Sequence, residues 1–214
     1  MHTACMVKRE SQIRQTQAER SEATRAALMA AGRDLFARHG YAGASSDEIV
    51  AAAGVSRGAL QHHFVDKRSL FLAVYEQVES EVVLATAEAG MAVGHDDPLE
   101  VLRAGCHAYL DAVLDPAVQR ICAIDGPAVL LPETRNEITD RYALGLVREV
   151  VEQAVAQGEI EDAPVEPLTK MLLAAVMAAA EYVATAEDHA AARAEAGRTV
   201  DLLLMNLKRT ARGR

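Results

Sequence analysis

The chain has 214 residues, enough to bury a sizeable core in one large or two small domains. Aromatic residues are few and tryptophan is absent, a composition typical of an all-helical protein. The net charge of −9 excludes a uniformly basic nucleic-acid-binding chain, but the charge is unevenly distributed. Residues 1–70 carry ten Lys and Arg against seven Asp and Glu (+3), and residues 71–214 carry twelve against twenty-four (−12).

The sequence gives no sign of export or of a membrane span. The longest apolar run, residues 171–180, is shorter than a span, and the polar N-terminus lacks an apolar signal core. Cys5, Cys106 and Cys122 are odd in number and not closely paired, so the sequence predicts neither a disulfide framework nor a zinc site. We therefore expect a cytoplasmic protein with no membrane partner, metal or cofactor.

Residues 1–18 are polar and are expected to form a flexible N-terminal arm containing Lys8, Arg9 and Arg14. A mobile tail is the simpler interpretation, and an arm that reaches a minor groove is the alternative. A helix is then predicted over residues 19–39, ended by Gly40 in the left-handed conformation. Its inward face is formed by Leu28, Ala31, Leu35 and Phe36.

The next stretch, residues 45–67, predicts two short helices joined by a turn. Ser45 and Glu48 have the spacing of a capping box at the start of the first helix. Gly54 permits the positive φ of the turn, and Ser56 caps the second helix. Two helices joined by a short turn containing Gly form a helix-turn-helix.

The second helix of this pair has one inward face, formed by Leu60 and Phe64 at i and i+4. Gly58 has no packing role inside such a helix, where glycine costs about 1 kcal/mol relative to alanine. A close approach by a DNA backbone or base edge explains a glycine at this position.

These residues resemble the N-terminal signature of the tetracycline-repressor (TetR) family over residues 23–72. The matching positions are Gly40, Tyr41, Ser45, Ile49, Ala53, Gly54, Val55, Ser56, Gly58, Leu60, His63, Phe64, Lys67 and Leu70. The family often has Thr, an apolar residue and Tyr where this chain has Ala44, Ser46 and Gln61. That Tyr commonly contacts DNA phosphate or sugar, whereas Gln61 is also able to read an adenine edge, so its contact stays open between base and phosphate.

The resemblance implies double-stranded DNA as a partner. Ser45 and Ser46 suit a phosphate clamp because helix N-termini present backbone N–H groups, and the resemblance makes Lys67 a phosphate anchor. Arg57 is placed to contact guanine. A zinc site at His62 and His63 is disfavoured because adjacent residues point to different sides of a helix. The predicted DNA-binding residues are Ser45, Ser46, Ser56, Arg57, Gly58, Ala59, Gln61, His62, His63 and Lys67.

A long helix is predicted from about residue 66 to residue 90, and in the family such a helix links the DNA-binding domain to the body. Breaks near Gly94–Pro98, Gly126–Pro127, Leu131–Pro132, Gly158 and Ala163–Pro167 separate the helices that follow. The predicted fold is all-α with about nine helices. It comprises a three-helix helix-turn-helix domain over residues 19–66 and a helical ligand-binding and dimerisation domain over residues 67–214.

Several polar or soft side chains interrupt the apolar helices of this body and are candidates for a ligand pocket between them. Each also has a structural interpretation: tyrosine at the edge of a core, cysteine as a small hydrophobe, methionine as filler. The candidates are His107, Tyr109, Cys122, Tyr142, Met177, Glu181 and Tyr182.

The last two predicted helices, about 165–185 and 188–209, are apolar on one face, which favours either packing within the chain or pairing with a second copy. The sequence therefore predicts a dimeric repressor, not an enzyme, which binds a palindromic operator and is released by a small molecule. One alternative is a helical small-molecule-binding protein or enzyme with a vestigial DNA-binding bundle. Another is a regulator without a ligand.

Overall fold

The computed structural model describes residues 3–94, 96–160 and 163–207, with side chains from Gln17 onward. Within these ranges the chain forms nine helical segments and no β-strand, which confirms the predicted all-α fold. The segments are α1 Thr3–Gly43, α2 Ser46–Ala53, α3 Arg57–His63, α4 Lys67–Ala92, α5 Pro98–Ala112, α6 (116–129), α7 (132–156), α8 Val165–Thr185 and α9 His189–Leu207. The end of the last predicted helix, beyond residue 207, lies outside the described residues.

Helix α1 starts at Thr3, well before the predicted start at residue 19. Residues 3–18 contain neither Gly nor Pro, so nothing in their sequence interrupts a helical backbone. The expected N-terminal arm is therefore helical in its backbone. The side chains of Lys8, Arg9 and Arg14 lie outside the described part, and a DNA contact by this arm stays a prediction.

Gly40 interrupts α1 shortly before its end, with φ 70° and ψ 170°, as the sequence predicted. The change of direction carries Tyr41 back onto the core of the first three helices. Its ring centroid lies 6.0 Å from that of Phe36 and 5.1 Å from that of Phe71. Aromatic contacts of this kind add to the burial of apolar area.

The contacts divide the chain into two compact units, Met1–Val74 and Tyr75–Arg214. The division falls inside α4, whereas the sequence placed a domain boundary before Lys67. The first turns of α4 belong to the first unit because Leu70, Phe71 and Val74 are buried there. The rest of that unit's core is formed by Leu28, Ala31, Leu35, Phe36, Ala44, Ile49, Leu60 and Phe64.

Two segments of the second unit contain π-helical turns, which are often found at functional sites. These are Gln119–Asp125 within α6 and Asp140–Leu144 within α7. The prediction that Gly126–Pro127 breaks the chain is wrong. Gly126 is helical (φ −52°) and its N–H bonds to the Ile121 carbonyl, so the helix continues through Val129.

Pro127 is tolerated in this continuation because it lies in the first turn of the α-helical piece Gly126–Val129, where a missing N–H costs little. The chain leaves the helix at Leu130, which is extended (φ −99°, ψ 143°).

Gly126 has a packing role. A Cβ atom at this position would lie 2.6 Å from Cε2 and 3.1 Å from Cδ2 of Tyr75, whose ring is buried. Only glycine permits so close an approach, because protein interiors have few voids into which a displaced ring could move.

We predict that Gly126→Ala lowers the free energy of unfolding by about 1–3 kcal/mol, because the added methyl group displaces the Tyr75 ring. Gly145→Ala is the matched control, since Gly145 is also helical but has no neighbour within 4 Å of an added Cβ. We expect it to raise stability by about 0.5–1 kcal/mol. Urea unfolding followed by circular dichroism measures both, and equal stability of the two variants would contradict the packing role.

Candidate functional site

The helix-turn-helix begins with the predicted capping box, which the structure confirms. Ser45 Oγ accepts a hydrogen bond from the Glu48 backbone N–H at 3.2 Å, and the Ser45 N–H donates to Glu48 Oε2 at 2.9 Å. Hydrogen bonds from the Ser45 side chain and then its backbone lower the pKa of the Glu48 carboxyl. The first turn of α2 is thereby fixed without long-range contacts.

The turn and the start of α3 also follow the sequence prediction. Gly54 is left-handed (φ 66°, ψ 28°), and its N–H bonds to the Ala51 carbonyl at 3.2 Å. Ser56 Oγ accepts from the Ala59 N–H at 3.2 Å, which caps α3. Leu60 and Phe64 are buried, so the inward face of α3 is the predicted one.

The opposite side of α3 is exposed. Arg57, Gly58, Gln61 and His62 are exposed, whereas Ala59 and His63 are half-buried. A Cβ added to Gly58 would meet only Ser56 Oγ, at 3.8 Å, so nothing inside the chain requires glycine there.

Arg57 makes one ion pair on this exposed side, with its Nη1 lying 3.1 Å from Asp47 Oδ1. Both side chains are largely exposed, and pairs of this kind contribute little to stability. The guanidinium group is therefore available to a phosphate or a base edge.

The sequence indicated Lys67 only as a phosphate anchor, but its side chain also makes several contacts within the protein. Its Nζ donates to the carbonyls of Tyr41 (2.8 Å) and Ala44 (3.0 Å) and lies 4.3 Å from the centroid of the Tyr41 ring. The ammonium group thereby holds the segment that leads from Gly40 into Ser45. These two carbonyls engage two of the three donors of the ammonium group.

The second unit encloses a cavity of about 280 Å³ between α4, α5, α7, α8 and α9. Most of the wall is aliphatic, and α8 and α9 contribute only apolar side chains to it. Among the lining residues that the structure describes, the charged groups are the carboxyls of Glu79 and Glu149, and none is Lys, Arg or His.

Three of the seven predicted pocket residues line this cavity: Tyr109, Tyr142 and Met177. Tyr142 contributes its ring, while its hydroxyl donates to Glu76 Oε1 at 2.9 Å. Cys122 lies one layer behind the wall, where its thiol hydrogen-bonds to the Glu79 carboxyl.

The other three predicted pocket residues lie elsewhere. His107 Nε2 is 2.8 Å from Asp201 Oδ1, and Arg193 Nη2 donates to the His107 carbonyl at 3.0 Å, so this histidine joins α5 to α9. Glu181 and Tyr182 are exposed on α8. The Tyr182 hydroxyl donates to Glu195 Oε2 at 2.6 Å.

Sequence reasoning missed Glu79, although a signal was present. Glu79, Val83, Thr86 and Gly90 recur every three or four residues on α4 and line the cavity together. Burial raises the pKa of the Glu79 carboxyl, although hydrogen bonds from Cys122 and Tyr75 and the charge of Arg135 act in the opposite direction.

Burial also raises the pKa values of two other residues that line the cavity. Burial first, and then the negative charge of Glu79, raises the pKa of the Tyr109 hydroxyl. Burial raises the pKa of the Cys106 thiol to about 11, so the thiol is neutral. Thr86 and Thr139 use their hydroxyl hydrogens on the Val82 and Arg135 carbonyls of their own helices.

An all-α fold with a capped helix-turn-helix ahead of a cavity-bearing helical body defines the class of helix-turn-helix transcriptional regulators. Residues 28–74 match the family of bacterial regulatory proteins named tetR, and residues 99–207 match the tetracyclin repressor-like C-terminal domain. This chain belongs to the TetR family of DNA-binding transcriptional regulators, as its resemblance indicated. Members of the family are regulators and not enzymes.

Individual relatives support the assignment to this family. A TetR-family transcriptional regulator from Pectobacterium atrosepticum superposes with a TM-score of 0.78 and 32% identity over 91% of this chain and 98% of that one. The regulator CymR from Pseudomonas putida is 44% identical over 69 residues, 32% of this chain and 34% of its own length. The matched part thus spans about a third of the first curated relatives.

A more distant structure shares the fold alone. FadR from Bacillus subtilis, in complex with stearoyl-CoA, has a TM-score of 0.69 and 16% identity over 83% of this chain and 96% of that one. Among the described helices, α8 alone is long and apolar enough to cross a membrane by length and composition. It lies within the matched C-terminal domain. Regulators of this family are cytoplasmic proteins, which agrees with the expected location.

The raised pKa of Glu79 has a consequence for stability. Because the folded protein binds the Glu79 proton more tightly than the unfolded chain does, stability falls as the pH rises from the usual glutamate range through the raised pKa. We predict that Glu79→Gln removes this decline. The expected difference is about 1.4 kcal/mol for each unit by which the pKa is raised.

Urea unfolding of both proteins across this pH range measures the difference. Glu149→Gln is the matched control, because it removes a carboxyl of the same charge from an exposed position of the cavity wall. We expect this control to keep the wild-type slope. Parallel curves for wild type and Glu79→Gln would contradict a buried, destabilised carboxylate.

Proposed function

We propose that this protein is a repressor that binds a palindromic operator as a homodimer and is released when a small molecule enters its cavity. Family membership supports DNA binding and regulation in general. The observation that carries the specific proposal is the exposed outer side of a capped α3, in a chain whose residues 1–70 have a net charge of +3 while the rest is net negative.

The proposed DNA contacts follow from helix geometry. The N-termini of α2 and α3, at Ser45–Ser46 and Ser56, present backbone N–H groups to phosphates. Arg57 and Gln61, one helical turn apart on α3, are exposed and suit base edges. The remaining proposed contacts are Gly58, Ala59, His62, His63 and Lys67.

Dimerisation is proposed through α8 and α9. These helices expose large apolar side chains that a single copy leaves in water, and exposed apolar patches mark protein interfaces. The exposed fractions are 69% for Met171, 57% for Leu202, 48% for Leu203 and 66% for Met205. A two-fold axis through this surface would give the protein two recognition helices for one operator.

Release by a ligand is proposed to act through α4. The first turns of this helix belong to the core of the DNA-binding unit through Leu70 and Val74. Its later turns line the cavity through Glu79, Val83 and Thr86. A ligand that binds one position of α4 more tightly than another shifts the equilibrium between DNA-competent and DNA-incompetent arrangements. When bound to its operator the protein is associated with the nucleoid.

Selection from random double-stranded DNA tests the proposal directly. The purified full-length protein is mixed with a random duplex library, and the retained DNA is sequenced. We expect an inverted repeat whose half-sites lie about 10 base pairs apart centre to centre, the spacing of successive major grooves. Enrichment of a single half-site would contradict the dimer, and the absence of any enriched sequence would contradict operator binding.

Gly58 offers a sharper probe of the DNA surface. We predict that Gly58→Ala stabilises the protein by about 0.5–1 kcal/mol, because an alanine is favoured in a helix and open space receives its methyl group. The same methyl group lies where DNA is proposed to approach. We therefore expect affinity for the selected operator to fall about ten-fold.

Fluorescence anisotropy with the selected operator measures this affinity. Gly145→Ala serves again as the control, since it makes the same helical exchange in α7 without a neighbour within 4 Å. It should keep wild-type DNA affinity. Unchanged operator affinity of Gly58→Ala would remove this face of α3 from the interface.

A further inference from the structure

The cavity has a mostly aliphatic wall, and the charged residues among its described lining residues are both acidic. Glu79 lines the cavity from α4, and its carboxyl already accepts hydrogen bonds from Tyr75 of the same helix and from Cys122 of α6. A carboxylate has about four acceptor positions, so acceptor capacity remains for a group inside the cavity.

The ionisable groups around Glu79 indicate which charge on a ligand the cavity favours. The titratable groups facing it are Tyr75 on α4, Tyr109 on α5, Cys122 on α6 and Arg135 on α7. Arg135, the cation of this set, does not line the cavity, and α8 and α9 present only apolar side chains there.

The other polar groups that line the cavity add no positive charge to it. The Thr86 and Thr139 hydroxyls donate to their own helices, and the Tyr142 hydroxyl donates to Glu76. The Cys106 thiol is neutral, and Glu149, the second charged lining group, is also an acid. An anionic ligand would therefore meet carboxyl groups and no lining cation.

We propose that the effector is a small organic amine, an apolar body with one positively charged nitrogen that binds the Glu79 carboxylate from inside the cavity. Tyr109 also lines the cavity, and in the proposal its neutral hydroxyl is the hydrogen-bond partner beside this ion pair. The volume of about 280 Å³ is near the lower end for ligand pockets, so the body is compact.

An ion pair in this mostly apolar setting is stronger than one in water, because the amine adds a positive charge next to a partly desolvated carboxyl. Binding requires the ionised form of Glu79. Amine affinity therefore rises with pH through the raised pKa of this group, whereas the affinity for a neutral analogue does not.

The proposal rests on the ligand role of the cavity in the proposed function, but its test needs no DNA. Calorimetry of the full-length wild-type protein compares three probes with the same chain: octylamine, octanol and octanoate. We expect octylamine to bind about ten-fold more tightly than octanol, and octanoate to bind more weakly than either. The preference for octylamine should grow as the pH rises through the raised pKa of Glu79.

Two variants test whether the amine contacts the Glu79 carboxyl. Glu79→Gln, of nearly the same shape, should bind octylamine and octanol with similar affinity, and Glu149→Gln should keep the wild-type preference. Equal or tighter binding of octanoate, equal binding of octylamine and octanol by wild type, or no binding of any probe would overturn the proposal. Loss of the preference in Glu149→Gln but not in Glu79→Gln would overturn it as well.

If the variants do not fold, the three-probe comparison and its pH dependence in wild type still decide the matter. Failure of the wider function has a different signature. A protein that binds octylamine through Glu79 but selects no operator would retain the amine site and lose the proposed repressor role.

Discussion

Helix α4 contributes buried side chains to two hydrophobic cores along one continuous backbone. The other helices belong to one or the other of the two units that it joins. Its first turns bury Leu70, Phe71 and Val74 against the end of α1. Its later turns bury Tyr75 and Val78 and present Glu79 to the cavity. In the proposed function, this helix is the element through which ligand binding would bias DNA binding.

The end of α1 and the start of α4 are linked by the Lys67 ammonium group as well as by the aromatic contacts of Phe71. Gly40 turns the chain out of α1, and Lys67 donates to the carbonyls of Tyr41 and Ala44 that follow this turn. The segment leading to Ser45 is therefore fixed before α2 begins. The lysine that the family resemblance makes a phosphate anchor thus has a structural role within the chain.

Under the proposed amine binding, the half-buried Glu79 carboxyl sets the chemical preference of the cavity. Glu79 is costly to ionise because it is desolvated, and the hydrogen bonds from Tyr75 and Cys122 offset only part of that cost. A ligand that brings a compensating positive charge gains what the protein alone lacks. In the proposal, charged, neutral and acidic ligands are therefore distinguished at this one position.

The sequence by itself determined the helix-turn-helix, because its signals are local: the Ser45–Glu48 capping box and the left-handed Gly54 act within a few residues. The tertiary structure alone decided which body residues face the cavity. Tyr109 lines it whereas His107 contacts Asp201, although both lie on α5, and Glu79 was missed because a glutamate on a helix is usually solvated. Burial of these residues depends on which helices surround them, and single-chain periodicity does not encode those neighbours.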